Sequence, residues 1–321
     1  MARYVTVSSI AWHAAGGQPV ASACEEAAAL LRLAAVAKPD LVIFPEIFLH
    51  AGQPFEHWVQ ADPLPNPLTD FFGTLARAYH TNLVIPMPIA VEGRCYNSAV
   101  VLDRAGEIVG HYDKTHVTIG ELEAGVTPGG GPRVFTLDFG RIANAICFDV
   151  NFTHLADTLQ QMEVELLCFH ALFTGGQLLN HWALTIGAYV LSAYREDSRL
   201  IDMTGHELMR IGNRYEAFGM WKLPPILTAR LNLDRKLFHH DYNIADFDGK
   251  HGGVHRLLAE CADRVTIDHN YPAGVCAIGA LEGVSLDELI ARYGLMTRNA
   301  FFRIANERLC VGGDIQAEPH Y

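Results

Sequence analysis

The chain has 321 residues, half of them hydrophobic and 19% charged, which suits one large domain or two small ones and excludes a disordered chain. A formal charge of −12 supplies no basic face for phosphates, so a nucleic-acid partner is not expected and a small-molecule substrate fits better. No apolar run approaches the ~20 residues of a membrane span, and Arg3–Val7 alternates like a strand instead of forming a signal-peptide core. No membrane partner and a cytoplasmic location are therefore expected.

Residues 3–10 read as a strand, followed by a helix from about Ser22. Ser22 and Glu25 have capping-box spacing, Ala27, Leu30, Leu31 and Ala34 form one apolar face, and Pro39 closes the helix. Leu41–Phe44 is a continuous apolar run, as in a strand buried on both faces. Asn66-Pro67 is a cap with a first-turn proline, opening a helix striped by Leu68, Phe71, Phe72, Leu75 and Tyr79. Leu83–Ile89 reads as a strand that Pro86 and Pro88 push toward an edge or an irregular end. Hairpins follow over 96–103 with 107–112 and over 133–138 with 141–147. Helices are predicted at 153–162 and 177–187, and strands at 164–169, 188–194, 198–202, 207–211 and 226–233. Strands paired in hairpins and interleaved with helices point to α/β architecture with two facing sheets, each covered by helices on one side.

The stretch 234–260 is rich in charge and histidine and reads as a surface excursion. Strands near 264–268 and 274–281 follow, then a helix signalled by Ser285-x-x-Glu288 and stopped by Gly294. The seven cysteines are widely spaced with no CxxC pair, which disfavours a disulfide framework or a cysteine-built zinc site and predicts mostly buried thiols.

Three apolar strands each deliver one reactive residue. Leu41-Val42-Ile43-Phe44-Pro45 leads to Glu46, Ile108–Asp113 to Lys114, and Ile142–Ile146 to Cys147. A thiol is mostly protonated at neutral pH, so a neighbouring carboxylate must take its proton. Attack on an amide-like carbon then places negative charge on oxygen, which an ammonium and a backbone N–H stabilise. Glu46, Cys147 and Lys114 supply those parts, with the Phe148 N–H as a second oxyanion donor. Singly, each has a plain structural reading: a strand-end thiol, a loop carboxylate and a surface lysine.

Taken together with their flanks, the three segments resemble the nitrilase, or carbon–nitrogen hydrolase, superfamily. The matching stretches are Leu41–Glu46, Tyr112-Asp113-Lys114-Thr115-His116, and Phe139–Ile142 leading to Ile146-Cys147-Phe148-Asp149, with Thr127-Pro128-Gly129 at the family's proline–glycine turn. The resemblance covers about residues 3–235. It implies a four-layer α-β-β-α sandwich, with residues 1–250 as the hydrolase domain and 251–321 as a C-terminal extension packed on it or at a subunit interface. It also implies a homodimer or higher homo-oligomer, no metal and no organic cofactor. Glu46 would be the base, Lys114 the oxyanion stabiliser and Cys147 the nucleophile.

A second active-site glutamate is expected before the turn. Glu121 and Glu123 compete, and the position after Gly120 favours Glu121. Two departures from the family pattern are Ala143, where a glycine is common, and Asn151, where an arginine is common. Phe148-Asp149 resembles the amidase-type branches, so hydrolysis of a small carboxamide is expected, with an N-carbamoyl hydrolase, a nitrilase or an inactive binding protein on the same fold as alternatives.

Phe148, His170, Leu172 and Phe173 are candidates for the substrate pocket. His116, near Lys114, fits an orienting or a buried structural role equally. Arg195-Glu196-Asp197-Ser198-Arg199 reads as a salt-bridged surface turn. Gly129-Gly130-Gly131 lacks the following Gly-Lys-Ser/Thr of a phosphate loop and reads as a plain turn. His239, His240, Asp241, His251 and His255 match no ligand spacing and read as solvated surface histidines.

Overall fold

Hydrogen-bonded pairing sorts the strands of the larger unit into two sheets. A computed structural model describes residues 2–212, 224–244 and 252–312. They divide into one unit spanning Tyr4–Leu231 and a second made of Met1–Arg3 with Asn232–Tyr321. In the larger unit β1 (Tyr4–Ile10), β2 (Leu41–Ile43), β3 (Asn82–Val91), β4 (Arg94–Leu102) and β5 (Ile108–Asp113) join β12 (Ile226–Asn232) in the order β12-β1-β2-β3-β4-β5. The second sheet holds β6 (Val134–Leu137), β7 (Gly140–Ile146), β8 (Leu166–His170), β9 (Tyr189–Ala193), β10 (Ser198–Ile201) and β11 (Glu207–Ile211), ordered β11-β10-β9-β8-β7-β6.

Helices α1 (Val20–Ala34) and α2 (Pro67–Tyr79) place Ala27, Leu31, Phe72 and Ala76 in one core with Val42, Phe44, Leu83, Ile85, Val100 and Leu102. The alternate strand positions Leu41, Ile43, Val84, Ala99 and Val101 are also fully buried, so both faces of this sheet are covered. On the second sheet α4 (Thr153–Gln161) and α5 (Gly176–Ile186) pack Leu155, Leu159, Leu179 and Trp182 on Ala143, Ala145, Leu167, Phe169 and Val190. The two sheets touch directly: Ser9 Oγ donates to Ser192 O at 2.8 Å, and His170 Nδ1 donates to Phe44 O at 2.7 Å. This is the expected α-β-β-α layering.

Several local expectations change. Helix α1 begins at Val20 with Pro19 as its cap residue and no side-chain cap bond, so the Ser22–Glu25 box is not its start. Asn66 does cap α2, accepting from the N–H groups of Leu68 and Thr69. Strand β3 lies inside its sheet, yet its register with β2 covers only Asn82–Val84; Pro86 and Pro88 fall beyond it and pair only with Ala99 and Asn97 of β4. Strand β7 stops at Ile146, and Cys147 opens a short 3₁₀ turn. In the 195–199 segment Asp197, Ser198 and Arg199 are buried. Arg199 lies in β10 and donates to Thr174 O and Gly176 O, which anchors the loop leading into α5. In that segment the partly exposed Arg195–Glu196 pair at 3.6 Å fits the surface-turn reading.

The stretch 234–260 is no surface excursion. It contains β13 (Arg235–His239), α6 (His240–Asn243) and α7 (Gly253–Cys261), with Phe238, Asn243, Val254 and Leu257 buried. β13 pairs antiparallel with β15 (Val275–Ala280), which pairs with β14 (Val265–Asn270). α7 and α8 (Leu286–Tyr293) cover one face of this sheet, and α9 spans Arg298–Gly312. Ser285 caps α8, and Gly294 ends it at φ +62°. Residues 245–251, His251 among them, lie outside the described residues. Among the described residues no helix is long and apolar enough to cross a membrane.

Candidate active site

Glu46, Lys114 and Glu121 are each at most 3% exposed, so their charges must be satisfied by one another. β2 ends at Ile43, and after Phe44 and Pro45 the chain turns at Glu46. Lys114 is fixed at its backbone, where its N–H donates to Asn97 O at 2.8 Å and its carbonyl accepts from Gly129 N at 2.8 Å. Only glycine fits at 129, because a Cβ there would sit 2.1 Å from Asp113 O. Glu121 is held by a capping box at the start of α3 (Ile119–Glu123): its N–H donates to Thr118 Oγ1, and Thr118 N–H donates to its Oε2 at 2.7 Å.

These anchors bring the side chains together. Lys114 Nζ donates to Glu46 Oε1 at 2.8 Å and to Glu121 Oε2 and Oε1 at 2.9 and 3.0 Å. Asn97 completes the cluster from β4, its Nδ2 donating to Glu46 Oε1 at 2.8 Å and to Glu121 Oε1 at 2.9 Å. Burial alone would lower the Lys114 pKa, but Glu46 and Glu121 outweigh it and raise it above the ordinary lysine value. Burial would likewise raise Glu121, but Lys114 outweighs it and lowers its pKa.

Cys147 approaches this cluster from the second sheet. Its backbone sits at φ +48°, a left-handed conformation costly for a residue with a Cβ. The turn is clasped by Asp149, whose carboxylate accepts from Ile146 N at 2.9 Å, His116 N at 2.8 Å and Tyr112 OH at 2.7 Å. One buried side chain thereby ties the cysteine turn to the segment carrying Lys114. Burial pushes the Cys147 thiol far up, the Glu46 carboxylate adds to this, and Lys114 and the Leu172 N–H oppose it. Cys147 therefore rests as a protonated thiol under the influence of the Glu46 carboxylate.

The other candidates divide. Glu123 is exposed, whereas Glu121 is in the cluster. Phe148 and Phe173 are partly exposed; Phe148 meets Phe152 edge-on at 5.4 Å and Phe173 meets Phe169 at 6.2 Å. His170 has no exposed surface. Burial holds its pKa down to about 4, and the neutral ring donates to Phe44 O and faces the Asn144 side chain through Nε2 at 3.0 Å. It ties the strand preceding Glu46 to the second sheet instead of walling a pocket. The His116 ring stacks on Phe152 at 3.6 Å. Asn151 is exposed and donates to Phe148 O at 3.0 Å, and Ala143 is buried beneath the helices of the second sheet. Asn97 and the clasp made by Asp149 were not singled out from sequence. The signal for Asn97 was an amide just ahead of the apolar run Ala99–Leu102 of β4.

Two helix-covered sheets facing each other, with a thiol on one opposite a buried carboxylate–ammonium cluster on the other, define a cysteine-bearing α-β-β-α sandwich. The family model for carbon–nitrogen hydrolases matches residues 14–194, and the chain belongs to that family.

A probable hydrolase, YhcX, from Bacillus subtilis is 32% identical over 133 residues, covering 39% of this chain and 26% of the relative. A 2-oxoglutaramate amidase from Paenarthrobacter nicotinovorans is 29% identical over 134 residues, covering 37% of this chain and 45% of the relative. The chain thus spans about a quarter of the first and less than half of the second. The crystal structure of an amidase from Nesterenkonia sp. superposes with a TM-score of 0.62 at 19% identity, over 71% of this chain and 90% of that one, which establishes likeness of fold.

Proposed function

We propose that the protein hydrolyses a small carboxamide to its carboxylic acid and ammonia through a thioester on Cys147. The observation that carries this reading is the buried Glu46–Lys114 pair at 2.8 Å, with the left-handed Cys147 turn tied to the Lys114 segment by Asp149. A thiol whose pKa is raised this far does not attack as a preformed thiolate, so the proton must leave during attack, and Glu46 is placed to take it. Sγ bonds to the carbonyl carbon while Glu46 accepts the thiol proton. The carbonyl oxygen becomes an oxyanion held by Lys114 Nζ and the Phe148 N–H.

Collapse of this species breaks the carbon–nitrogen bond as Glu46 returns the proton to the leaving nitrogen, which departs as ammonia. Glu46 next removes a proton from water, the hydroxide attacks the thioester, and the carbon–sulfur bond breaks to release the acid and restore the thiol. Lys114 has three N–H donors. Glu46 and Glu121 use two directions, leaving one for the oxyanion. Glu121 keeps Lys114 charged and fixed, and Phe148 and Phe173 are proposed to contact the substrate's acyl group.

The amidase among the relatives supports an amide substrate, and the Phe148-Asp149 pair after the cysteine agrees with it. An N-carbamoyl hydrolase or a nitrilase would use the same cluster. The experiment is ammonia release from a panel of carboxamides, N-carbamoyl amino acids and nitriles, with wild type and Cys147→Ala side by side. Turnover of a carboxamide that disappears in the variant is expected. Turnover of only nitriles or carbamoyl compounds would replace the substrate class, and no turnover by wild type would favour a binding protein.

A further inference from the structure

The C-terminal unit gathers a different set of side chains. His240, His269 and Cys276 place two imidazole nitrogens and a sulfur all within 4.8 Å of one another. We propose that these three residues bind one zinc-class divalent cation, with a fourth coordination position open to solvent.

The strand register builds the set. His269 on β14 and Cys276 on β15 are directly paired, and Phe238 of β13 pairs with Cys276 from the other side. His240 follows at the start of α6, where its backbone N–H donates to Gly274 O at 2.8 Å. That bond brings the His240 ring back over the β14–β15 pair. His240 Nε2 and His269 Nδ1 stand 3.2 Å apart. Two nitrogens on a tetrahedral zinc with bonds near 2.05 Å would be about 3.3 Å apart, and a nitrogen and a sulfur about 3.6 Å apart. The two imidazoles are thus already at coordination spacing, and closing the sulfur onto the same ion needs little more than about 1 Å of side-chain movement.

The rings are also held in place. Tyr271 stacks on His269 at 5.0 Å and 12°, and lies 5.3 Å from His240. Cys276 is fully buried, whereas both histidines are partly exposed, so an ion would reach the site from the histidine side. Two imidazoles and a thiolate are the donors zinc prefers, and they exclude calcium and magnesium, which take oxygen. Binding replaces the S–H bond with a sulfur–metal bond and releases that proton to solvent.

The clustered His239, His240, Asp241, His251 and His255 read from sequence as solvated surface residues; among the described ones, only His240 belongs to this set. The His239 ring stacks on Phe301 at 4.6 Å, His255 is exposed on α7, and the other two ligands come from strands later in the chain. The ion would join α6, β14 and β15, which makes it a structural element of this unit.

The test uses the full-length protein, stripped with a chelator, dialysed, and titrated with Co²⁺ and then Zn²⁺ against a chromophoric competitor. One equivalent of Co²⁺ should bind with a thiolate charge-transfer band, and Zn²⁺ should displace it. Cys276→Ser should abolish that band. His269→Gln, at a partly exposed position, should weaken Zn²⁺ binding by at least roughly 100-fold, the upper end of what loss of a mere supporting contact costs. His255→Gln should bind as wild type, and Zn²⁺ should raise the melting temperature of wild type but not of His269→Gln. Absence of the charge-transfer band in wild type would overturn the proposal. So would Zn²⁺ affinity unchanged in both ligand variants, or lost equally in His255→Gln.

Discussion

Asn97 offers a sharp perturbation of the buried cluster, because one amide nitrogen serves both carboxylates. In Asn97→Leu the bonds to Glu46 and Glu121 at 2.8 and 2.9 Å disappear while the side-chain branching is kept. Hydrogen bonds to charged groups contribute roughly 1.5–3 kcal/mol each, so about 3–6 kcal/mol is removed. Asn97 Oδ1 is buried without a hydrogen-bond partner among the described residues, and deleting it recovers roughly 1–3 kcal/mol. Urea unfolding at pH 7 should therefore show a net loss centred on about 2.5 kcal/mol, and kcat/KM should fall roughly 10- to 100-fold as Glu46 loses its fixed direction.

Asn97→Asp should cost more. It sets a third carboxylate against two that share the single Lys114 ammonium. The introduced carboxyl would have a folded pKa above its unfolded value of about 4, so its penalty is full at neutral pH and fades in acid. If the Asp and Leu variants lost the same stability at pH 7, with the same pH dependence, the shared-charge description of this cluster would be wrong.

Glu121→Gln should destabilise the fold by about 3 kcal/mol at pH 7, the low end for breaking a buried ion pair, because Glu46 still pairs with Lys114. Glu121 is held below its ordinary carboxylate value, so its contribution is present above about pH 4.3 and lost as pH falls through the depressed folded value; the gap between wild type and variant, followed by thermal melts, should narrow in acid. Gly129→Ala should reduce kcat/KM at least roughly 10-fold, because its Cβ would lie 2.1 Å from Asp113 O and must displace the turn that holds Lys114. Gly130→Ala, where a Cβ meets nothing within 4 Å, should leave the kinetics close to wild type.

The catalytic candidates were legible because each ends a strand, and strand ends carry local signals: an apolar run, a breaking proline, a turn. Glu121 was favoured over Glu123 by its position after Gly120, and the fold adds the reason: a capping box fixes Glu121 inward while Glu123 is exposed two residues on. Asn97 was not, because its partners come from β2's end and from α3, and such meetings are set by tertiary packing. The same holds for His170, whose place between the sheets depends on Phe44 O arriving from the opposite sheet. Asp149 was visible in its motif, but its clasp on Tyr112, His116 and Ile146 needed the fold. The charge and histidine content of 234–260 concealed a strand and two helices, because their apolar positions are few and fill only one face. For His269 and Cys276, cross-strand register placed side by side what a ligand-spacing rule cannot see.

Covalent capture on Cys147 tests the proposed reaction most directly. Wild type mixed with a slowly hydrolysed carboxamide and followed by intact-protein mass spectrometry should gain the mass of one acyl group on a peptide containing Cys147. The adduct should decay as acid appears and be absent from Cys147→Ala. An acyl adduct that persists in Cys147→Ala, or amide turnover that survives the loss of the thiol, would contradict a Cys147 thioester.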